Sequence, residues 1–204
     1  RLIDKGADIN LKGENDTAAI IEAAKTGQTE IVGLLIDKGA DINAISYPKY
    51  GNYSALSVAI DKKHTETARL LLEKGADANT PSREETRTLH YAIDNGMLDI
   101  ARLLIEKGVN TNVQYYESEP ALFKIIRNYD KFGLEFLNLL FEHGANINEQ
   151  NREESTALNE AVNLNNEECI KWLLEKKADV NVKNKAGWTP LTKATANKNL
   201  SIVK

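Results

Sequence analysis

The sequence predicts an all-α fold built from stacked helix–turn–helix repeats. One segment recurs along the 204-residue chain, and its clearest copy is LLIDKGADIN at residues 34–43. A period of 33 or 36 residues separates successive copies of its central turn position. Such a period is typical of repeat arrays, in which each unit buries its apolar face against its neighbours. The turn position is held by Gly6, Gly39, Gly75, Gly108, Gly144 and Lys177.

The regular spacing also predicts the domain organisation. Because no Pro-, Gly- or Ser-rich linker interrupts the repeats, we expect a single domain over residues 1–204. Both ends fall inside a repeat, so we expect the chain to be a fragment of a longer protein. The end of a preceding repeat, five full repeats and an incomplete repeat are expected at residues 1–10, 11–43, 44–79, 80–112, 113–148, 149–181 and 182–204.

Residues 87–112 show how each repeat predicts two helices. Leu89, Ala92 and Ile93 have the spacing of one helix face, and Asn95-Gly96 ends that helix. A second apolar face follows, with Leu104 in the core as Leu71 is one repeat earlier. The same template predicts helix pairs near residues 20–27 and 30–37, 55–61 and 65–73, 88–94 and 98–106, 121–128 and 134–142, and 157–163 and 167–175, and a further first helix near 190–196.

These motifs resemble those of the ankyrin-repeat family. The segments GWTPL (187–191), Leu89-His90 and IIEAAKTG (20–27) match the family pattern G-x-T-P-L-H-x-A-A with its later glycine, and the similarity covers the whole chain. The resemblance implies an ankyrin-repeat solenoid, in which antiparallel helix pairs carry β-hairpin-like finger loops. It also implies a protein-binding scaffold without catalysis.

Several positions depart from the family pattern. The threonine that caps the first helix is kept at Thr156 and Thr189 and replaced by Ser54. Elsewhere Ala18, Arg87 and Pro120 occupy the position, so Thr17 and Thr86, one residue earlier, are alternative caps. Lys177 in the turn position predicts a left-handed backbone. The two longer repeats are expected to hold their extra residues near Tyr47–Gly51 and Tyr129–Phe132.

Composition limits the function classes. The formal net charge is -4 with 27% charged residues, which does not suit nucleic acid, where lysine and arginine must replace counterions. No apolar run is long enough for a membrane span. A single cysteine, Cys169, excludes an internal disulfide and suits a reducing compartment. We therefore expect a cytoplasmic monomer that binds neither nucleic acid nor membrane.

The candidate chemical residues do not form a recognisable site. His64, His90 and His143 belong to different repeats, and none has metal-ligand spacing to Cys169. Cys169 occupies a position that holds Ile31, Ile100 and Phe136 in other repeats, which predicts a buried thiol. The sequence therefore predicts no catalytic residue, no metal and no cofactor.

The candidate binding residues fall in two sets. Exposed aromatic side chains are often interface anchors, although they can also pack on adjacent fingers. The finger loops carry Tyr47, Tyr50, Tyr53, Tyr115, Tyr116 and Trp188. The first helices are expected to present Lys25, Asp61, Lys62, Asp94, Asn95 and Arg127.

Three functions are compatible with this pattern. The leading hypothesis is a scaffold that binds a protein partner through its concave face and finger loops. The second is a regulatory or targeting segment of a longer multidomain protein. The third is an ankyrin array that binds a nucleotide or another ligand by stacking on Trp188 and the loop tyrosines.

Overall fold

The computed structural model describes residues 1–13, 16–47, 52–80, 88–112 and 119–204. The chain divides into two compact units, Arg1–Asn110 (unit 1) and Thr111–Lys204 (unit 2). The all-helical prediction is confirmed in each, and the strand structure of the described residues is limited to one short hairpin and an isolated bridge. The expectation of a single domain stays a prediction.

Unit 1 begins with a short 3-10 helix, Ile3–Lys5, and continues as three helix pairs. The first helices pack on one another, and so do the second helices, as the predicted repeat requires. An antiparallel hairpin precedes the second pair, with Ile45 opposite Ser54. The elements are α1 Ala19–Lys25, α2 Thr29–Asp37, β1 Ile45–Ser46, β2 Tyr53–Ser54, α3 Ala55–Asp61, α4 Thr65–Glu73, α5 Thr88–Asp94 and α6 Leu98–Glu106.

Unit 2 repeats the arrangement with three further pairs. Its first helices, α7, α9 and α11, pack in sequence order. Between second helices, the Trp172 indole N–H donates to Asn138 Oδ1 at 2.8 Å, and its ring meets Phe141 edge-on. The elements are α7 Ala121–Arg127, α8 Tyr129–Glu142, α9 Ala157–Asn163, α10 Glu167–Glu175, α11 Pro190–Ala196 and α12 Leu200–Val203.

The core follows the repeat template at most positions. Leu71, Leu104 and Cys169 are completely buried, as predicted. Ile31 holds the same place in α2 as Cys169 does in α10, but it is 45% exposed, so the expectation that this position faces the core is wrong there. The segment before the first helix pair forms only the 3-10 turn Ile3–Lys5, none of whose own residues is buried. In unit 1, by contrast, Ile100 at the equivalent position of α6 follows another complete helix pair and is fully buried.

Asparagines tie each loop to the next within a unit. The side chain of Asn79, for example, accepts the Asn110 backbone N–H at 2.8 Å and donates to the Gly108 carbonyl at 3.1 Å. These bonds satisfy backbone groups at helix ends that would otherwise lack partners. The asparagine of the recurring motif therefore links each loop to the next by hydrogen bonds. The same acceptor role is filled by Asn10, Asn43, Asn112 and Asn148.

Helix capping confirms three predictions and corrects one. Ser54, Thr156 and Thr189 each accept a backbone N–H at the start of a helix and form complete capping boxes. Thr17 does not cap α1. Helix α1 begins after Ala18 without a side-chain cap, and the Thr17 hydroxyl instead bonds the Ser46 hydroxyl at 3.1 Å. Thr86 and Arg87 lie outside the described residues.

The second insertion lies where the sequence predicts it. Residues 129–132 form an additional helical turn at the start of α8, and this turn joins the rest of the helix through Gly133, whose φ of 65° and ψ of -175° are not helical. Only glycine adopts this conformation readily, so Gly133 allows the turn to change direction. Of the first insertion, Tyr47 is described, whereas residues 48–51 lie outside the described residues. Lys177 has the predicted left-handed φ, 63°.

Candidate protein-binding surface

In unit 1 the ends of the first helices present charged side chains to solvent. Lys25 pairs with a glutamate of its own helix at 3.4 Å. Asp61 and Lys62 pair with each other at 3.1 Å. All three side chains are exposed, as is Asp94 at the end of α5, and Asn95 is half-buried. Because exposed pairs of this kind contribute little to stability, these groups can exchange partners at low cost.

In unit 2 the corresponding residue, Arg127, is held by a charge network. Its guanidinium donates to Glu160 of α9 and, through two nitrogens, to Glu119, with Nη2 3.0 Å from Glu119 Oε1. Asn151 Nδ2 also donates to Glu119, at 3.0 Å. The hydrogen bond to Glu160, followed by the bond to Glu119, raises the pKa of Arg127, although burial opposes the shift. Arg127 therefore links α7 to α9 and to Glu119 in the loop before α7, although its own side chain is partly exposed to solvent.

Tyr47 is the exposed aromatic residue of the first finger. Its side chain is 58% exposed, and Lys12 Nζ lies 5.2 Å from the ring centroid. Tyr53, across the hairpin in β2, is half-buried. Between the loops, Tyr47, Lys12 and Asp41 line a cleft of about 280 Å³. The predicted binding residues Tyr50, Tyr115 and Tyr116 lie outside the described residues.

Trp188 is the exposed aromatic residue of the last finger. It is 39% exposed, with Lys193 Nζ 5.4 Å from the ring centroid. Its backbone N–H donates to Asn184 Oδ1 at 3.0 Å, which closes the finger loop. Lys185 N donates to the Glu153 carbonyl at 2.9 Å and so joins this finger to the preceding one. The ring is therefore presented on a hydrogen-bonded loop.

The three histidines fill structural positions. His90 is buried, and His143 Nδ1 lies 2.9 Å from the Leu139 carbonyl. His64 packs against Gly27, where an added Cβ would lie 2.6 Å from the ring, and its Nε2 bonds the Lys25 carbonyl at 3.1 Å. Among the described residues, no group of acidic, histidine or cysteine side chains could hold a metal ion.

Burial raises the pKa values of two titratable groups, Cys169 in α10 and Tyr129 in α8. Burial raises the pKa of the Cys169 thiol to about 12, with a smaller contribution from the charge of Glu168. Burial likewise raises the pKa of Tyr129 to about 12, and the hydrogen bond to Glu168 adds to the shift. A thiol that keeps its proton is a poor nucleophile, in agreement with the predicted buried, inert cysteine.

The sequence pattern did not predict which side chains contact the candidate binding residues. Nothing in the repeat pattern singled out Lys12 and Asp41 beside Tyr47. The partners of Arg127 leave a weak signal, because Glu160 lies 33 residues away, about one repeat. Lys74 and Asp37, which pair at 3.0 Å, are 37 residues apart. Opposite charges about one repeat apart in the sequence therefore indicate ion pairs between neighbouring repeats.

The sequence and the fold match those of known proteins. A family model described as "Ankyrin repeats (3 copies)" matches residues 1–82, 49–115 and 122–204. The chain belongs to the ankyrin-repeat family, whose repeats generally mediate protein–protein interaction rather than catalysis. The ankyrin repeat domain of Bcl-3, described as a member of the IkappaB protein family, superposes with a TM-score of 0.75 at 24% identity. The match covers 99% of this chain and 88% of that domain, and shows the fold.

Two curated relatives match a shorter region. The human Ankyrin repeat and KH domain-containing protein 1 is 36% identical over 63 residues, or 31% of this chain. The Drosophila melanogaster Ankyrin repeat and KH domain-containing protein mask is equally similar over the same length. The matched region is 2% of either relative. In the part of this chain that the structure describes, no helix is long and apolar enough to cross a membrane.

Proposed function

We propose that this chain is an interaction scaffold that binds a protein partner through its finger loops and the exposed ends of its first helices. One observation carries the proposal. The last residue of the first helix is basic at Lys25 but acidic at Asp61 and Asp94, whereas the buried faces of these helices are mainly apolar. Stacking requires the apolar positions, so the variable surface is free to carry recognition.

The aromatic residues on the fingers supply the expected anchors. A few buried aromatic or arginine side chains dominate the energy of most interfaces. Tyr47 and Trp188 have large exposed ring areas. Tyr47 directly follows the paired strand β1, and a hydrogen bond closes the loop of Trp188. Their burial by a partner would recover apolar area at little cost in chain entropy. Tyr50, Tyr115 and Tyr116 remain proposed anchors of the same kind.

The second hypothesis, a regulatory or targeting segment of a longer protein, is supported by the relatives. The chain spans only 2% of their length, and their names include a KH domain. In that arrangement the partner-binding surface would recruit the rest of the protein to its target. A nucleotide-binding array is disfavoured by the net charge of -4, since phosphate groups require basic residues. We propose a cytoplasmic monomer, in keeping with the single buried thiol.

The proposal is tested by capture with matched surface variants. The tagged chain is used to isolate partners from a cell lysate, beside two variants. The inner-surface variant changes the ends of the first helices α3 and α5, and the outer-surface variant changes the ends of the second helices α4 and α6. The inner variant combines Asp61→Ala with Asp94→Ala, and the outer variant combines Glu73→Ala with Glu106→Ala, all at exposed positions. We expect a partner that the outer variant retains and the inner variant loses at least about tenfold. Equal retention by both variants would contradict the proposal.

A further inference from the structure

The cleft beside Tyr47 has the form of a pocket for one side chain. It lies between the first two finger loops of unit 1 and has a volume of about 280 Å³. Ala18, Ala44 and Ile45 contribute apolar surface, and the Tyr47 ring forms an exposed wall. A cleft of this size accommodates part of a ligand rather than a whole small molecule, since ligand pockets are usually about 300–1,000 Å³.

The two charged residues of the cleft differ in how they are compensated. Lys12 Nζ donates to Asp16 Oδ2 and to the Ile45 carbonyl, each at 3.0 Å, so its charge is paired. Asp41 Oδ1 accepts the Asn43 backbone N–H at 3.0 Å, which shapes the turn. Among the residues that the structure describes, Asp41 has no ion-pair partner. The charge that remains for a guest to neutralise is therefore negative.

The tyrosine ring also favours a cationic ligand group. The face of an aromatic ring attracts a cation, and Lys12 already lies 5.2 Å from the Tyr47 centroid. The ring nevertheless remains more than half exposed. A planar guanidinium can stack on such a ring and direct paired N–H groups to a carboxylate, which a lysine ammonium does not do.

We propose that this cleft binds an arginine side chain of the protein partner, with its guanidinium stacked on Tyr47 and hydrogen-bonded to the Asp41 carboxylate. This inference rests on the proposed function and deepens it by naming the chemistry of one partner contact. An acidic or phosphorylated segment would be repelled by Asp41. The finger of unit 1 therefore selects a basic residue in an exposed segment of the partner.

The experiment uses a model peptide on the intact 204-residue chain. Acetyl-Gly-Arg-Gly-amide is titrated into the isotope-labelled protein and followed by backbone amide chemical shifts. The same peptide with citrulline, which is nearly the same shape but uncharged, is the matched probe. We expect saturable shifts in residues 10–18 and 41–47 with a dissociation constant on the order of millimolar, about fivefold weaker for citrulline.

Three substitutions test which side chains of the cleft bind arginine. Asp41→Asn keeps an oxygen that accepts the Asn43 N–H, and should weaken arginine binding about threefold and so reduce the preference over citrulline to about twofold or less. Asp8→Asn is the matched control. Asp8 makes the same turn by accepting the Asn10 N–H at 3.0 Å but does not line the cleft, so binding should be unchanged. Tyr47→Leu should weaken binding to a similar extent as Asp41→Asn.

Three outcomes would overturn the inference: no saturable shift around the cleft, equal affinity for the two peptides, or an equal loss with Asp8→Asn. These outcomes are distinct from failure of the proposed function. If the inner-surface variant loses its captured partner while the arginine peptide does not bind, only the arginine contact is wrong. If the peptide binds but the inner and outer variants capture partners equally, the proposed surface is wrong.

Discussion

The ends of the first helices have different roles in the two units. In unit 1, Lys25 and Asp61 pair with neighbours on the same helix or turn, and their side chains are 45% and 41% exposed. In unit 2, Arg127 is also 41% exposed, but Glu119 and Glu160 around it are only 26% and 13% exposed. The repeat position is therefore open for recognition in unit 1 and partly committed to internal structure in unit 2. Equivalent places in a repeat need not have equivalent functions.

The largest effect is expected in the core that both surfaces require. Leu104→Ala removes a completely buried side chain from α6 and should lower the free energy of unfolding by about 2–5 kcal/mol. Leu103→Ala, the half-buried neighbour in the same helix, should cost roughly half as much. Urea unfolding followed by circular dichroism measures both. Equal costs would place Leu104 outside the core.

The charge network of unit 2 is tested by Arg127→Ala. This change leaves two partly buried carboxylates without their cation and should lower the free energy of unfolding by about 1–2 kcal/mol. Lys25→Ala in unit 1 should change it by less than about 0.5 kcal/mol, because its ion pair is exposed. Urea midpoints of the two variants decide the comparison. If they shift equally, the two helix ends do not differ as the structure indicates.

Capping provides a smaller difference between repeats. Thr156→Ala removes the hydroxyl that accepts the Asn159 N–H and should cost about 1 kcal/mol. Thr195→Ala, whose hydroxyl bonds the Leu191 carbonyl within α11, should change stability by less than about 0.5 kcal/mol. The difference in thermal midpoint measures the contribution of the cap. No difference would show that the capping box of α9 is dispensable.

Alkaline pH should reveal the raised pKa values of Cys169 and Tyr129. Cys169 and Tyr129 have folded pKa values of about 12, above their ordinary values, so the unfolded chain loses these protons first. The free energy of unfolding should therefore fall as the pH rises from about 9 towards 12. Tyr129→Phe keeps the ring and should reduce this slope, which urea unfolding at several pH values measures. An unchanged slope would mean that Tyr129 titrates normally in the folded protein.

The sequence predicted the features that depend on local pattern. Helices α2 and α4 lie within one residue of their predicted bounds, because apolar spacing and glycine turns determine them locally. The exposed state of Tyr47 was also consistent with the loop assignment. Contacts between repeats were not predictable in this way. The Thr17–Ser46 hydrogen bond and the ion pairs of Arg127 depend on which residues stacking brings together. The exposure of Ile31 depends on the segment that precedes the first helix pair.

The most direct test of the proposed surface is the affinity of a captured partner for two double variants, measured by calorimetry. The inner variant carries Asp61→Ala and Asp94→Ala, and the outer variant carries Glu73→Ala and Glu106→Ala. We expect the inner pair to raise the dissociation constant about tenfold or more and the outer pair to leave it unchanged. Equal affinities for the two variants, or a loss confined to the outer pair, would contradict this expectation.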